Sequence, residues 1–426
     1  MSKVHKVVTG DTLGTISIRY LGTFLKWRSI VTANPQLSGR RCAADGSPLI
    51  FPGDLLTIPD EDKSESIPAA SQTIQLTNSA EEQDVSIVID GKKFTGWTGY
   101  VITLNMDSFD VFSFTSPYSE LLDELRETMM PFAFKTCQVF YDNKLLFKGT
   151  LLTPNPSLEN SETQINLQGY PLCGILQDCT VPPALYPGNY EGMTLKEIAE
   201  TVCDAYGIKA VFNDDAGAPF TEVNFEPTEK VLDFLFKLCQ QRQFLYTNDE
   251  NGRLVFFKAK KESALMSFTE GEVPLLSIRP SFKAQDFYSH ITGYTKTCEN
   301  NNSQSFTWEN KFLTKKGITR HSTITVDDAD SASDLEKAVK AHAGRMFAGC
   351  VSYVLDCDVH KNAKGELFKK GMGVAVKAPA AMIKRDTIFT ARSIELKRDS
   401  NSKTATINLV LPGSFTDEIP EELPWE

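Results

Sequence analysis

Residues 1–60 carry an apolar–polar pattern that predicts a strand, two helices and a second strand. The segment KVHKVV alternates with the period of a strand, and Leu13, Ile16 and Tyr20 then follow at helical spacing. A second apolar stripe is predicted to be helical and to end before Pro35, because the residue preceding a proline avoids the helical conformation. The turn PGD then leads into the strand LLTIP, so this pattern predicts a small βααβ unit.

Residues 76–175 show a different pattern, in which short alternating segments are separated by tight turns. Asp90-Gly91 and Asp142-Asn143 are typical hairpin turns between such segments. One amphipathic helix is predicted over 119–130. So many short strands favour a small antiparallel β-barrel. A polar linker, 61–75, separates it from the first unit.

Residues 176–265 predict a small α/β insert. Thr194 and Glu197 form a capping-box pattern at the start of one helix, and Thr228 is predicted to cap the next. Strands return over 266–412, which predicts a second barrel of similar texture containing one helix headed by the capping-box pattern Ser333 to Glu336. Residues 413–426 form an acidic tail, expected to be mobile or bound to a partner.

The composition is that of an ordinary globular protein of several domains, with 41% hydrophobic and 23% charged residues in 426. The N-terminus lacks an apolar stretch of signal-peptide length, so we expect neither secretion by the general route nor a membrane span. Nine cysteines without a C-x-x-C pair favour reduced, buried thiols. The net charge of −11 argues against a protein that grips nucleic acid, although DNA could pass along an acidic surface without binding.

Candidate catalytic and cofactor motifs are weak throughout. There is no phosphate loop or G-x-S-x-G motif, and GMGVAV is interpreted as a turn entering a strand. The five histidines lack metal-ligand spacing, and His342 is interpreted as a core residue. The pairs Glu81-Glu82 and Asp214-Asp215 fall in polar loops, where nothing would raise the pKa of a catalytic acid. We therefore predict no cofactor, no metal and no enzymatic activity.

The first unit resembles the LysM family. The resemblance rests on G-D-T-L, W-x-x-I, N-P and P-G-D-x-L-x-I-P, over nearly all of residues 4–60. LysM domains usually bind N-acetylglucosamine-containing glycans in a shallow groove. By position, that groove would be lined by Asp11, Thr12, Leu13, Asn34, Pro35, Ile50 and Phe51. The alternative is that these residues are caps and turns of the fold itself.

The rest of the chain resembles the tail baseplate hub of Mu-like contractile bacteriophages, a late control D-like family. The matching motifs are G-x-x-x-x-G-x-L-x-D-C from Gly169 to Cys179, L-x-x-I-A from Leu195 to Ala199, and Y-G-I from Tyr206 to Ile208. Later segments, which end in I-E-L-K-R-D and A-T-I-N-L-V-L-P, follow in the same order as in that family. The similarity covers about 85–412, and the N-terminal unit departs from it.

This second resemblance implies a homotrimer whose chains each supply two tail-tube-like barrels. Six such barrels would let a threefold object dock on a sixfold tail tube or tube-initiator protein and hold a spike protein below. It also implies location in the virion tail baseplate, with assembly in the bacterial host cytoplasm. DNA would pass through the lumen without being bound.

Three functions remain open from the sequence. The first is a structural hub of a phage, tailocin or other contractile injection system, with the LysM domain as an arm docking on wedge or sheath-proximal baseplate proteins. The alternative is a LysM-anchored protein that binds or degrades peptidoglycan. The third is an injected effector, for which the β-rich body offers no separable toxic domain.

Overall fold

The structure is a computed structural model, and it describes most of the chain. The described residues are 3–9, 11–21, 27–37, 39–41, 48–58, 72–76, 84–117, 130–159, 162–186, 188–295, 304–326, 331–399, 401–416, 419–420 and 422–426. The helix predicted at 119–130 lies outside them except for its last residue, and Glu81-Glu82 lies outside them entirely.

The N-terminal module has the predicted order of strand, helix, helix and strand. Its elements are β1 (Lys3–Lys6), α1 (Leu13–Leu21), α2 (Trp27–Thr32), a 3-10 turn (Pro35–Leu37) and β2 (Leu55–Ile58). The two strands pair antiparallel, with Lys6 opposite Leu55. Buried side chains from both helices and β2, among them Ile16, Ile30 and Leu56, give the module a hydrophobic core of its own, to which Val7 adds from just beyond β1. Its membership of the LysM family stays a prediction.

In the described part of the chain the first β unit has eight strands, the first of which lies within the segment 61–75 that was predicted as a linker. These are β3 (Gln72–Gln75), β4 (Val85–Ile89), β5 (Lys92–Thr95), β6 (Gly99–Asn105), β7 (Val111–Pro117), β8 (Thr136–Tyr141), β9 (Lys144–Glu159) and β10 (Glu162–Pro171). The turns predicted at Asp90-Gly91 and Asp142-Asn143 are present, and all four residues have positive φ. This conformation suits the two-residue loops that join twisted antiparallel strands.

The insert packs its helices against small sheets. Its elements are a 3-10 turn (Leu172–Gly174), α3 (Ile175–Asp178), a second 3-10 turn (Pro183–Leu185), β11 (Asn189–Glu191), α4 (Leu195–Asp204), β12 (Ala210–Phe212), β13 (Glu222–Asn224), α5 (Val231–Arg242), β14 (Leu245–Asn248) and β15 (Leu254–Phe257). The capping box predicted at Thr194 and Glu197 is present in full. In the turn between β14 and β15, Gly252 has φ +74°, and a Cβ there would lie 2.7 Å from the Lys148 carbonyl of β9.

The prediction that Thr228 caps a helix is wrong. Helix α5 begins later, at Val231, and its N-cap is Lys230, whose side chain makes no capping hydrogen bond. Lys230 pairs with Thr180 in an isolated β-bridge, and the Val231 N–H donates to the Cys179 carbonyl. This pairing holds the chain extended through Lys230, so the helix cannot start at the threonine.

The second β unit contains the remaining strands and the longest helix of the described residues. Its elements are β16 (Ala264–Thr269), β17 (Leu275–Phe282), a 3-10 turn (Ala284–Asp286), β18 (His290–Thr295), β19 (Ser305–Glu309), α6 (Lys311–Thr314), β20 (His321–Val326), α7 (Ala332–Cys350), β21 (Val351–Cys357), β22 (Gly373–Ala378), a 3-10 turn (Pro379–Ala381), β23 (Ile383–Arg398) and β24 (Lys403–Val410). GMGVAV does enter a strand, β22, as interpreted.

The capping box predicted from Ser333 to Glu336 is also wrong. The N-cap of α7 is Ser331, whose hydroxyl accepts a hydrogen bond from the Asp334 N–H at 3.2 Å. Ser331 to Asp334 has the same S-x-x-acid spacing as Ser333 to Glu336, so two overlapping patterns competed. The earlier one prevails, and Ser333 lies within the first turn.

Among the described residues, the two β units share one sheet of 14 strands. Its main path runs β17-β21-β24-β23-β6-β7-β10-β9-β8-β4-β5-β3, with β22 and β16 branching from β23. The units meet where β23 pairs antiparallel with β6, from Ser393 opposite Asn105 to Arg398 opposite Tyr100. One hydrophobic core lines this sheet on both sides of the junction. The structure is therefore mostly β, and the closure of each unit into a separate barrel stays a prediction.

The C-terminal tail differs from expectation, because its described part packs on the second β unit. Leu423 is buried, and the Trp425 ring meets the Phe282 ring edge to face at 5.0 Å between centroids. The Lys384 N–H of β23 donates to the Pro424 carbonyl at 3.0 Å. The prediction was based on the acidic composition of this segment and overlooked Leu423 and Trp425, whose apolar side chains hold it in place.

Candidate functional site

Asp11, in the predicted glycan groove, makes its contacts inside the N-terminal module. Its carboxylate accepts hydrogen bonds from the Val8 N–H at 3.0 Å and from His5 Nε2 at 2.8 Å. These two hydrogen bonds, with Val8 first, lower the pKa of Asp11 below its ordinary value. Its side chain is only 6% exposed. Asp11 therefore ties the end of β1 to the start of α1 and has little surface left for a ligand.

Asn34 and two of its groove neighbours are also engaged in the fold. The Asn34 amide donates to the carbonyls of Ile30 at 2.6 Å and Thr57 at 2.7 Å, and its Oδ1 accepts from the Thr57 N–H at 2.8 Å. Leu13 is buried in the core, and Pro35 begins the 3-10 turn. The Asn34 hydrogen bonds hold the end of α2 against β2, as a cap of the fold would.

The remaining groove residues reach the surface. Thr12 is exposed, although its hydroxyl caps α1 by accepting from the Thr15 N–H at 3.1 Å. Phe51 is 57% exposed, and the Arg40 guanidinium lies 5.6 Å from its ring centroid. Ile50 is partly buried against the core. The region of the predicted groove thus offers a ligand the exposed Phe51 ring, beside an Arg40 guanidinium that is already paired with Asp54.

A buried polar cluster joins the three parts of the body. Asp110, between β6 and β7, accepts hydrogen bonds from Lys370 Nζ at 2.8 Å to both oxygens and from Asn248 Nδ2 at 2.8 Å. Lys370 Nζ also donates to Thr247 Oγ1 at 2.7 Å. Burial raises the pKa of Asp110, and the charge of Lys370 opposes that rise. We call Asp110, Thr247, Asn248 and Lys370 the three-way joint, because they come from the first β unit, the insert and the second β unit.

Further ion pairs cross the junction between the two β units. The guanidinium of Arg392, on β23, contacts both carboxylate oxygens of Asp107, with Nε at 3.1 Å from each. Asp84, just before β4, pairs with Lys403 of β24. Sequence reasoning missed these residues and the three-way joint, because the partners lie hundreds of positions apart and no local motif links them. Their arrangement fixes the relative position of the units.

The features that would mark an enzyme are weak among the described residues. No group of three or more His, Cys, Asp or Glu side chains there could hold a metal ion. Asp214, one of the candidate carboxylates, accepts the Lys258 N–H at 2.9 Å, which lowers its pKa, the opposite of what a catalytic acid needs. Asp215 is exposed. His342 is half-buried on α7, and this burial lowers its pKa.

The described cysteines are consistent with the predicted reduced state. All seven are free, and six of them are buried. Burial raises the pKa of the Cys350 and Cys357 thiols to about 11, which keeps them protonated and unreactive at neutral pH. In the part of the chain that the structure describes, no helix combines the length and hydropathy that crossing a membrane requires.

Residues 173–258, which contain most of the insert, match the family described as baseplate hub protein gp44-like, second domain. Baseplate hub protein gp44 of Escherichia phage Mu is 21% identical over 341 residues, which cover 76% of this chain and 87% of gp44. These two findings support a Mu-like baseplate hub. The relatives are structural hub and tail proteins rather than enzymes, which confirms the prediction of a non-enzymatic protein.

Two crystal structures share the fold. The 43 kDa tail protein of prophage MuSo2 from Shewanella oneidensis superposes with a TM-score of 0.66 at 22% identity, over 78% of this chain and 99% of that one. The tail protein from Neisseria meningitidis MC58 gives a TM-score of 0.67 at 18% identity, over 80% of this chain and 99% of that one. The mostly β, multidomain body is therefore a fold that tail proteins share.

Proposed function

We propose that this protein is the trimeric baseplate hub of a contractile phage tail or related injection machine, adapting a sixfold tail tube to a threefold spike. The observation that carries the proposal is the β6–β23 junction, which joins two β units edge to edge in one sheet. Three copies would supply six such units. A ring of six β units would match the sixfold symmetry of a tail tube, while the trimer as a whole would have the threefold symmetry of a spike.

The junction has the rigidity that an adapter needs. Its main-chain pairing covers six residues of each strand and is flanked by the Asp107–Arg392 and Asp84–Lys403 ion pairs. The three-way joint adds the insert to the same frame. Such a frame transmits force between spike and tube without bending at the boundary between units.

The proposed partners follow from the similarity to baseplate hub protein gp44 and from charge. They are two further copies of this chain, the spike protein, and the tail tube or tube-initiator proteins. The net charge of −11 suits a lumen through which DNA passes without binding. The site of action would be the virion tail baseplate, assembled in the host cytoplasm.

For the N-terminal module we propose a role as a docking arm to wedge or sheath-proximal baseplate proteins. Asp11, Leu13 and Asn34 are engaged in the fold, which leaves the exposed Thr12, Pro35 and Phe51 as the groove surface for a partner, with Arg40 held beside Phe51 by its ion pair with Asp54. Binding of peptidoglycan at the same surface is the alternative, because aromatic faces also stack on sugars. Retention of the full-length protein on purified peptidoglycan, lost in Phe51→Ser, would establish the alternative and refute the docking role.

Electron microscopy of the purified full-length protein tests the hub proposal. Class averages should show a ring of six lobes in a threefold repeat around an open lumen. A compact particle without a lumen, at concentrations where the protein is otherwise soluble and folded, would refute it.

A further inference from the structure

The outer face of the β1–β2 sheet in the N-terminal module is apolar. Val4, Lys6 and Val8 alternate outward, whereas His5 and Val7 between them are buried. Because Lys6 lies opposite Leu55, Leu55 is the diagonal neighbour of both Val4 and Val8. Val4, Val8 and Leu55 are 63%, 55% and 61% exposed. We call Val4, Lys6, Val8 and Leu55 the outer face.

The outer face combines three exposed apolar side chains with the cation of Lys6, and the half-buried Thr57 lies opposite Val4 at one end of it. Its exposed residues are those that a two-stranded sheet would normally make polar, since their neighbours in sequence already fill the core. Lys6 makes no ion pair among the described residues. None of the seven predicted groove residues belongs to this face, so it is a second surface of the module.

Charge is distributed unevenly between the module and the body. Residues 1–60 contain seven Lys and Arg against four Asp and Glu, a net charge of +3. The chain as a whole has a net charge of −11, which leaves −14 for residues 61–426. The module is therefore attracted to the body of its own assembly.

The body carries a patch of matching chemistry in the turn between β16 and β17. Val273 is 89% exposed, the highest value among the large hydrophobic residues described, and Leu276 is 56% exposed. Glu272, beside Val273, is exposed, and its side chain has no cation partner in the described part of the chain. Glu270 is exposed as well and accepts a hydrogen bond from the Ala380 N–H. The segment 270–276 is thus apolar and acidic where the outer face is apolar and basic.

We infer that the outer face docks on segment 270–276 of a body of this protein. Lys6 pairs with Glu272, and Val4 and Leu55 cover Val273 and Leu276. The 13 residues between Ile58 and Gln72 can span about 45–50 Å when extended. The tether enters the body at β3, and β17 lies at the other end of the sheet path, eleven strand spacings or about 53 Å away along the sheet, a distance that the nearly extended tether covers together with the module. The groove stays open for another partner, and the inference does not depend on the baseplate role.

Zero-length carbodiimide crosslinking of the purified full-length protein, read by mass spectrometry, tests this contact. The reagent joins a lysine to a carboxylate only when they touch, so a Lys6–Glu272 crosslink is expected. It should be lost in Val4→Ser/Leu55→Ser, which removes the apolar contact but changes only exposed positions. Phe51→Ser, an exposed change in the groove, should retain it. Unchanged melting of the variants verifies that the module is folded.

A charge swap gives the second test. Lys6→Glu alone should lose the crosslink, because two carboxylates then face each other. In Lys6→Glu/Glu272→Lys the crosslink between these two positions should return with the amine and the carboxylate exchanged, and high salt should weaken both versions. The inference is wrong if the unaltered protein shows no crosslink between these segments, or if the crosslink survives Val4→Ser/Leu55→Ser. It is equally wrong if that double variant instead loses retention on peptidoglycan, since the outer face would then bind the wall.

Discussion

Lys370 places its ammonium group against the buried carboxylate of Asp110, and the two come from β units 260 positions apart. Replacing Lys370 with Met should lower the free energy of unfolding by about 3–5 kcal/mol, because it leaves an unpaired charge at a site that is 4% exposed. Urea denaturation of the full-length protein measures this loss.

A matched control for Lys370 is Lys377→Met. Lys377 pairs with Asp386 at 3.8 Å on the surface, where both side chains are more than half exposed. Its loss should cost less than about 0.5 kcal/mol. Similar small losses in both variants would mean that the three-way joint does not hold the body together.

His360 is a second residue on which the junction depends. Its Nδ1 accepts from the Tyr141 hydroxyl at 3.0 Å, and its Nε2–H donates to the Thr404 carbonyl at 2.8 Å. This arrangement requires the neutral imidazole. Burial lowers the pKa of His360 below the ordinary value of 6.5. The neutral ring thus links β8 of the first unit to β24 of the second.

Stability should therefore fall on acidification. As the pH falls below 6.5, His360 becomes protonated in the unfolded chain but stays neutral in the folded protein. The free energy of unfolding therefore decreases with pH until the pH reaches the lowered pKa of His360 in the folded state. Each such histidine contributes a slope of at most about 1.4 kcal/mol per pH unit. Urea denaturation between pH 7.5 and about pH 5 should show a shallower slope for His360→Gln. Equal slopes for His360→Gln and the unaltered protein would contradict the prediction.

At the scale of single elements, the cap of α7 is a place where two interpretations of the sequence can be separated. Ser331→Ala should lower the free energy of unfolding by about 1 kcal/mol, because it removes the acceptor for the Asp334 N–H. Ser333→Ala should be neutral or slightly stabilising, since alanine is the better helix former inside the first turn. Thermal unfolding of both variants decides between the two caps. A larger loss of stability in Ser333→Ala than in Ser331→Ala would contradict the cap seen in the structure and favour the one predicted from the sequence.

Local signals explain which elements could be predicted from the sequence. The hairpins at Asp90-Gly91 and Asp142-Asn143 and the capping box at Thr194 were predictable, because each depends on residues that are neighbours in the chain. The start of α5 was not, because a long-range bridge between Thr180 and Lys230 sets it. The parallel pairing of β20 with β18 was not predictable either, because β19 and α6 lie between the two strands in the chain.

The candidate site was predictable only in part, for the same reason. The seven groove residues follow from the resemblance to LysM domains and stay a prediction, and the sequence did not indicate that Asp11 and Asn34 would make their hydrogen bonds inside the module. The three-way joint and the Asp107–Arg392 pair have no sequence signature at all. Such contacts follow from how the units are arranged, which periodicity does not report.

At the scale of the whole molecule, the shared sheet is the feature that links fold to function. Two units that both consist mainly of strands, and that were expected to form two barrels, are joined through β6 and β23 into one sheet. The fold is shared with tail proteins of two bacterial species, and the sequence with a phage baseplate hub. A protein that repeats this pair of units three times would present six to a tail tube.

Sedimentation equilibrium of the purified full-length protein measures that repeat most directly. The account predicts a mass three times the 47.4 kDa of one chain, stable on dilution. A mass of 47.4 kDa for a folded protein over the same concentrations would contradict the trimeric hub.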